Sequence, residues 1–257
     1  MPFIFHKGLG QGHALVLLHG FCENHQIWDG IAPTLANNFQ VLMPDLPGFG
    51  QSNLRSTPFS IDDVGDQMIQ WLVNTVNTPA IVIGHSLGGY VAMAMAVKNP
   101  HVIAGLGLVH STAAADTEEK KQNRNKTVEF IHENGVNPFV EVFVPGLFHQ
   151  KDHASIPQVK QIAHSTPKQT LIAYTLAMRD RPSREEWLAT FNKDFLVLAG
   201  DSDTIIPVNS LKNQSKRVPK GTFHSLPVGH MAMYEAPRET ALILGSFALK
   251  CVNKPSQ

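Results

Sequence analysis

Charge is scarce in this chain and cysteine nearly absent. Asp, Glu, Lys and Arg make up 16% of its 257 residues, against about 25% in an average soluble domain. The 21 basic and 21 acidic side chains cancel to a net charge of zero, and no block of Lys or Arg stands out. The electrostatic footprint of nucleic-acid or anionic-membrane binding is therefore missing. Cys22 and Cys251 lie at opposite ends, whereas a secreted chain stapled by disulfides carries a denser, even set; reduced, intracellular thiols are expected. No apolar run approaches the ~20 residues of a membrane span. Met1 to Lys7 is not a basic start followed by an apolar stretch, and neither a repeat nor a low-complexity tract occurs. These absences lead us to expect a cytoplasmic protein acting on a small molecule, monomeric or homodimeric, with neither nucleic acid nor membrane as partner.

What the chain does have is apolar material, 43% of its residues. A chain of this length buries roughly three-quarters of its unfolded surface, which favours one large domain with an insertion over two separate domains. Five short apolar runs recur between turn residues: Ala14 to Leu18, Val41 to Met43, Ala80 to Ile83, Leu106 to Val109 and Phe195 to Ala199. They do not alternate, and continuous hydrophobicity over such lengths suits strands covered on both faces by helices. Ser60 is placed to N-cap a helix, with Asp63 three residues on and Val64, Met68, Ile69 and Leu72 at helical spacing. A second helix follows Ser86, is apolar on every side from Tyr90 to Val97, and ends at Pro100. The alternation predicts a doubly wound, mostly parallel α/β sheet whose ligands bind at the carboxyl ends of the strands. After Ser111 the strand signal stops and helical patterning takes over until Trp187. Residues 112–187 are therefore expected to form an inserted helical lid, with 1–111 and 188–257 as the core. Phe139, Val140, Val142 and Phe143 give that lid an apolar stripe that either packs it onto the core or lines the substrate site, and we assign Phe139 and Phe143 to the substrate side.

Gly84-His85-Ser86-Leu87-Gly88-Gly89 falls between a strand run and the all-apolar helix. G-x-S-x-G in that position is the nucleophile elbow, a sharp strained turn that lifts the serine hydroxyl above the sheet. A serine hydroxyl is a weak nucleophile and needs a general base, itself oriented by a carboxylate. His230 follows the last strand-like stretch, Phe223 to Val228, and is the base that the chain order serine, acid, histidine calls for. Asp201 and Asp203 compete for the acid; Asp203 is preferred, because a carboxylate beyond the strand tip reaches towards the histidine loop while Asp201 holds the turn. The amides of Leu87 and Phe21, the latter in Leu18-His19-Gly20-Phe21, are the expected oxyanion donors. His85 and His110 lie at predicted strand ends, where each either touches substrate or satisfies a backbone group; we assign both to the substrate site.

Together with Trp28, the segment Asp45-Leu46-Pro47-Gly48-Phe49-Gly50-Gln51-Ser52, and Gly200-Asp201-Ser202-Asp203, these motifs make the chain resemble a lidded α/β-hydrolase of the serine type along nearly its whole length outside the lid. The family pattern of Gly, two residues, then the acid falls on Gly200 and Asp203. The resemblance implies an esterase-like hydrolase that uses no cofactor. It does not fix the substrate; the low charge and the lid phenylalanines suggest the ester or thioester of a small to medium apolar acyl group. Two other readings keep the triad: a hydrolase of carbon–carbon bonds in a carboxylate-bearing substrate, for which Arg179 or Arg181 would be the anchor, and a slow-hydrolysing ligand receptor.

Ser86 in place of a carboxylate nucleophile excludes the haloalkane dehalogenase and epoxide hydrolase branches of the resembled family. His149 and His153 are four apart and could share a helix face, yet no zinc pattern accompanies them, and no metal site is expected. Cys22 has no elbow and is assigned to packing. The glycine-rich Gly8-Leu9-Gly10-Gln11-Gly12 precedes a strand and lacks a phosphate-loop lysine, so nucleotide binding is not expected.

Overall fold

A computed structural model describes residues 3–54 and 57–253. Seven strands form one sheet in the order β1-β3-β2-β4-β5-β6-β7. They are β1 (His6–Leu9), β2 (Ala14–Leu18), β3 (Gln40–Pro44), β4 (Ala80–His85), β5 (Ile103–Val109), β6 (Asp194–Gly200) and β7 (Gly221–Leu226). β1 runs antiparallel to β3 and every other pair is parallel. The five apolar runs each lie inside a strand, and β2, β4 and β6 are buried along their whole length. The glycine-rich segment is only partly a loop: Gly8 and Leu9 belong to β1. The last strand ends two residues earlier than the strand-like stretch Phe223 to Val228 suggests, at Leu226.

The helices are α1 (Ala32–Leu35), α2 (Ile61–Thr75), α3 (Leu87–Lys98), α4 (Glu118–Asn134), α5 (Val136–Leu147), α6 (Ile156–His164), α7 (Lys168–Arg179), α8 (Val208–Ser215), α9 (Ala232–Glu235) and α10 (Pro237–Val252). Ser60 caps α2 in a reciprocal capping box with Asp63. α3 is buried from Leu87 to Ala96, as a helix apolar on every side must be. It packs between the sheet and α2. Among the described residues no helix is long and apolar enough to cross a membrane.

Between β5 and β6 the chain forms the four helices α4 to α7 and a 3-10 turn, with no strand. The stripe assigned to this segment is narrower than expected. Val140 is buried and Phe139 and Phe143 are half-buried, but Val142 is 77% exposed, since a residue two positions after Val140 turns to the other side of a helix. His149 and His153 share no helix face either, because both lie in the connection between α5 and α6.

Parallel register aligns the carboxyl ends of the central strands. Leu18 pairs with Gly84 and His85 with Val109, while Gly200 at the end of β6 pairs with Leu226 of β7. The chain turns from β2 to β3 on one side and later returns to β4 on the other, so the strand order reverses at β2. Loops leaving such a switch point splay apart and leave a crevice. Ser86 follows β4 directly beside it.

Candidate active site

Ser86 joins β4 to α3 with φ 50° and ψ −114°, a left-handed conformation costly for any residue with a side chain. The strain is held by the Ser86 N–H donating to Val109 at 2.9 Å, and by its carbonyl accepting from Gly89 N–H at 2.9 Å and Ser111 Oγ at 2.8 Å. Gly88 fixes the elbow against the neighbouring strand: a Cβ there would lie 2.5 Å from the carbonyl oxygens of Leu18 and His19. Ser86 itself is only half-buried, although β4 before it and α3 after it are buried.

His230 Nδ1 lies 2.7 Å from Asp203 Oδ2. The competing Asp201 is exposed and uses its backbone N–H to hold Leu226 at 2.8 Å. Asp203 is saturated with donors. Its Oδ1 accepts the N–H groups of Ile205 at 2.8 Å and Ile206 at 3.1 Å, and its Oδ2 also accepts from His110 Nδ1 at 3.2 Å. Burial alone would raise the Asp203 pKa, but the His230 and His110 imidazoles outweigh it and hold the carboxyl well below the usual range. An ionised carboxylate only accepts, so the proton on each facing ring nitrogen sits on Nδ1. For His230 this leaves Nε2 free to take a proton.

His85 and His110 do not face open space, and their assignment to substrate is corrected. Both are wholly buried, with ring centroids 5.1 and 5.3 Å from that of His230. His110, itself at φ 48°, has its pKa pushed down to about 4 by burial despite the Asp203 contact. Its Nε2 has no hydrogen-bond partner among the described residues. His85 donates to the His230 carbonyl through Nε2 at 2.9 Å and meets Glu23 Oε2 through Nδ1 at 3.0 Å. His110, Asp203 and His230 place three ligand-type atoms within 4.8 Å of one another. Those atoms already pair as hydrogen-bond donor and acceptor, and a metal would have to displace both imidazole protons.

Leu87 is the first residue of α3, where helix geometry leaves amides without an intrahelical acceptor. Phe21 follows Gly20 in the loop after β2, next to the strand end on which Gly88 packs. The Phe21 ring meets Phe139 and Phe143 edge-on at 6.2 and 5.9 Å, and those two rings stack at 4.9 Å. On its other side Phe21 meets Phe49 at 6.5 Å, and Phe49 packs on Tyr174 of α7 at 4.7 Å. An aromatic wall thus runs from the loop after β2 to α5 and α7. Cys22 is inert by comparison: burial pushes its thiol up to about 12, and Sγ lies 3.6 Å from the Ala163 carbonyl. Both arginines are ion-paired, Arg181 in the interior and Arg179 at the surface. Arg181 pairs with Asp116 at 2.8 Å and Arg179 with Asp180 at 2.7 Å.

Sequence reasoning missed Glu23 and Glu235. Glu23 is a buried acid three residues after Gly20; its role comes from His85, 62 residues away, and no local signal marks it. Glu235 binds the N–H groups of Gly229 at 3.0 Å and of His149 at 2.8 Å. Half of that role depends on the insertion, which no local spacing reveals.

Residues 13–237 match the alpha/beta hydrolase fold family. A pimeloyl-[acyl-carrier protein] methyl ester esterase of Aeromonas hydrophila is 25% identical over 224 residues, 82% of this chain and 85% of its own length. A 37% identical match to an uncharacterized protein of Mycobacterium tuberculosis spans 100 residues, 39% of this chain and 29% of that protein. Among solved structures, a thermophilic esterase from Thermogutta terrifontis superimposes with a TM-score of 0.92 at 27% identity, covering 97% of this chain and 94% of its own. An enol-lactonase from Burkholderia xenovorans LB400 shares the fold, with a TM-score of 0.88 at 16% identity over 96% of each chain.

Proposed function

This chain belongs to the alpha/beta hydrolase family, and on that premise we propose that it is a serine hydrolase cleaving the ester or thioester of a small to medium apolar acyl group through an acyl-enzyme. Ser86 Oγ attacks the carbonyl while His230 Nε2 takes its proton. Asp203 holds the opposite ring proton and favours the imidazolium that forms. The amides of Leu87 and Phe21 stabilise the oxyanion. His230 then protonates the leaving alcohol or thiol, and a water molecule, deprotonated by His230 in turn, releases the acid from Ser86.

The observation that carries this reading is the 2.7 Å contact between His230 and a fully hydrogen-bonded Asp203, in a fold that also holds a serine on a strained strand-to-helix turn. The aromatic wall of Phe21, Phe139 and Phe143 supports an apolar acyl group, and the similarity to esterases supports an ester. The buried pairing of Arg181 with Asp116 disfavours that residue as the anchor of a carboxylate-bearing substrate. A panel of p-nitrophenyl esters of graded acyl length tests the reading. Turnover that peaks at short to medium chains and disappears in Ser86→Ala is expected; ester turnover retained in Ser86→Ala contradicts it.

A further inference from the structure

We propose that Glu23 and a doubly protonated His85 form a buried positioning pair that ties the oxyanion loop to the histidine loop beneath the nucleophile. The proposal rests on the triad reading of Ser86, His230 and Asp203.

The geometry of His85 points to the charged form. Each of its ring nitrogens faces an acceptor, Glu23 Oε2 at 3.0 Å on one side and the His230 carbonyl at 2.9 Å on the other. A neutral imidazole has one N–H and would turn a lone pair on one of those oxygens, whereas an imidazolium satisfies both. The ring is wholly buried, so water cannot mediate. Glu23 Oε2 also accepts the Gly20 N–H at 2.6 Å, as an ionised carboxylate does. Burial opposes charge on both groups, yet each holds the other charged, raising the His85 pKa and lowering that of Glu23.

The pair is a continuous tie. It begins at the Gly20 amide, one residue before the proposed donor Phe21, and runs through Glu23 and His85 to the carbonyl of His230. His85 also immediately precedes Ser86. No slack is left at the loop end, since a Cβ on Gly20 would sit 2.7 Å from both Glu23 Oε2 and His85 Nδ1. The groups around His85 are Glu23 from the loop after β2, the Trp28 ring at 6.4 Å, His110 after β5 at 5.9 Å, and His230 after β7 at 5.1 Å, with Asp203 behind His230. Through the His230 carbonyl the pair therefore fixes the loop that carries the base.

Steady-state kinetics and side-chain NMR test this together. Glu23→Gln and His85→Gln each should lower kcat about 10²-fold through misplacement of the reacting groups, with KM changed by no more than about threefold. The double variant should be no worse than the poorer single, because either change already breaks the tie. Wild-type kcat in both singles overturns the proposal. So does a fall in kcat that disappears when turnover is scaled to the folded fraction. Long-range 1H–15N spectra of the wild type near pH 7.5 should show one histidine protonated on both ring nitrogens, absent from Glu23→Gln and His85→Gln and retained in Ser86→Ala. Wild-type turnover without that ring overturns the pair; the ring without wild-type ester turnover overturns the triad reading beneath it.

Discussion

The backbone N–H of His230 donates to the carbonyl of Leu147 at 2.7 Å, so the proposed general base hangs from the last residue of α5 in the helical insertion. Glu235 reinforces the join by accepting from His149 on the insertion side and from Gly229 and Met231 on the loop side. Glu235→Ala should lower kcat about tenfold or more by loosening the histidine loop, while Glu235→Gln, which keeps one acceptor, should recover part of the loss. Steady-state kinetics on the two variants check this, and equal, wild-type kcat values would contradict it.

The three triad members should behave as a unit. Ser86→Ala and His230→Ala each should reduce kcat by about 10⁶, their combination should cost no more, and Asp203→Ala alone should cost about 10⁴. Ester turnover of purified variants checks the pattern; additive losses would show that the residues act independently.

Acid should destabilise the fold through His110. Burial holds its folded pKa at about 4, below the ordinary 6.5. As pH falls from 6.5 to 4, the unfolded chain binds a proton that the folded protein refuses, and about 3 kcal/mol of stability drains away across that window. Asp203 and Glu23 have depressed values, so their contributions are complete above the unfolded carboxylate range and are lost below it. His85, with a raised value, contributes below about 6.5 and loses that contribution as pH rises through its folded pKa. His110→Asn keeps a donor for Asp203 and tolerates φ 48°. Thermal melts of this variant should show a shallower fall in Tm between pH 6.5 and 4 than the wild type.

The stacked Phe139 and Phe143 should matter more to long acyl groups than to short ones. Each Phe→Ala change should cost stability only about 1 kcal/mol, as both rings are half-buried. For a hexanoyl ester kcat/KM should fall about tenfold, and for an acetyl ester less than about threefold. Equal losses on both esters would place the rings outside the acyl site.

Most of the sheet and the proposed triad could be read from the chain because their signals are local. The run Ala14 to Leu18 is continuous and apolar, and it forms β2 to the residue. Ser86 declared itself through two glycines at fixed offsets between a strand run and an apolar helix, and Asp203 through its distance from Gly200. β1 escaped because His6–Leu9 is short, half-exposed and glycine-containing, and exists through antiparallel pairing with β3 at Val41 to Pro44. His85 and His110 were misassigned to substrate for a different reason. Position at a strand end says that a side chain is near the site; whether it faces the crevice or the rear depends on partners 62 and 93 residues away. Glu23 is invisible as a site residue until His85 is in place.

The most direct test of the central claim is peptide mapping after labelling with a fluorophosphonate, which reacts far faster with a serine that its base has activated. One adduct per chain on the peptide carrying Ser86, formed by the wild type and lost in His230→Ala, is the predicted result. Labelling on another residue, or equal labelling of Ser86 in His230→Ala, would contradict it.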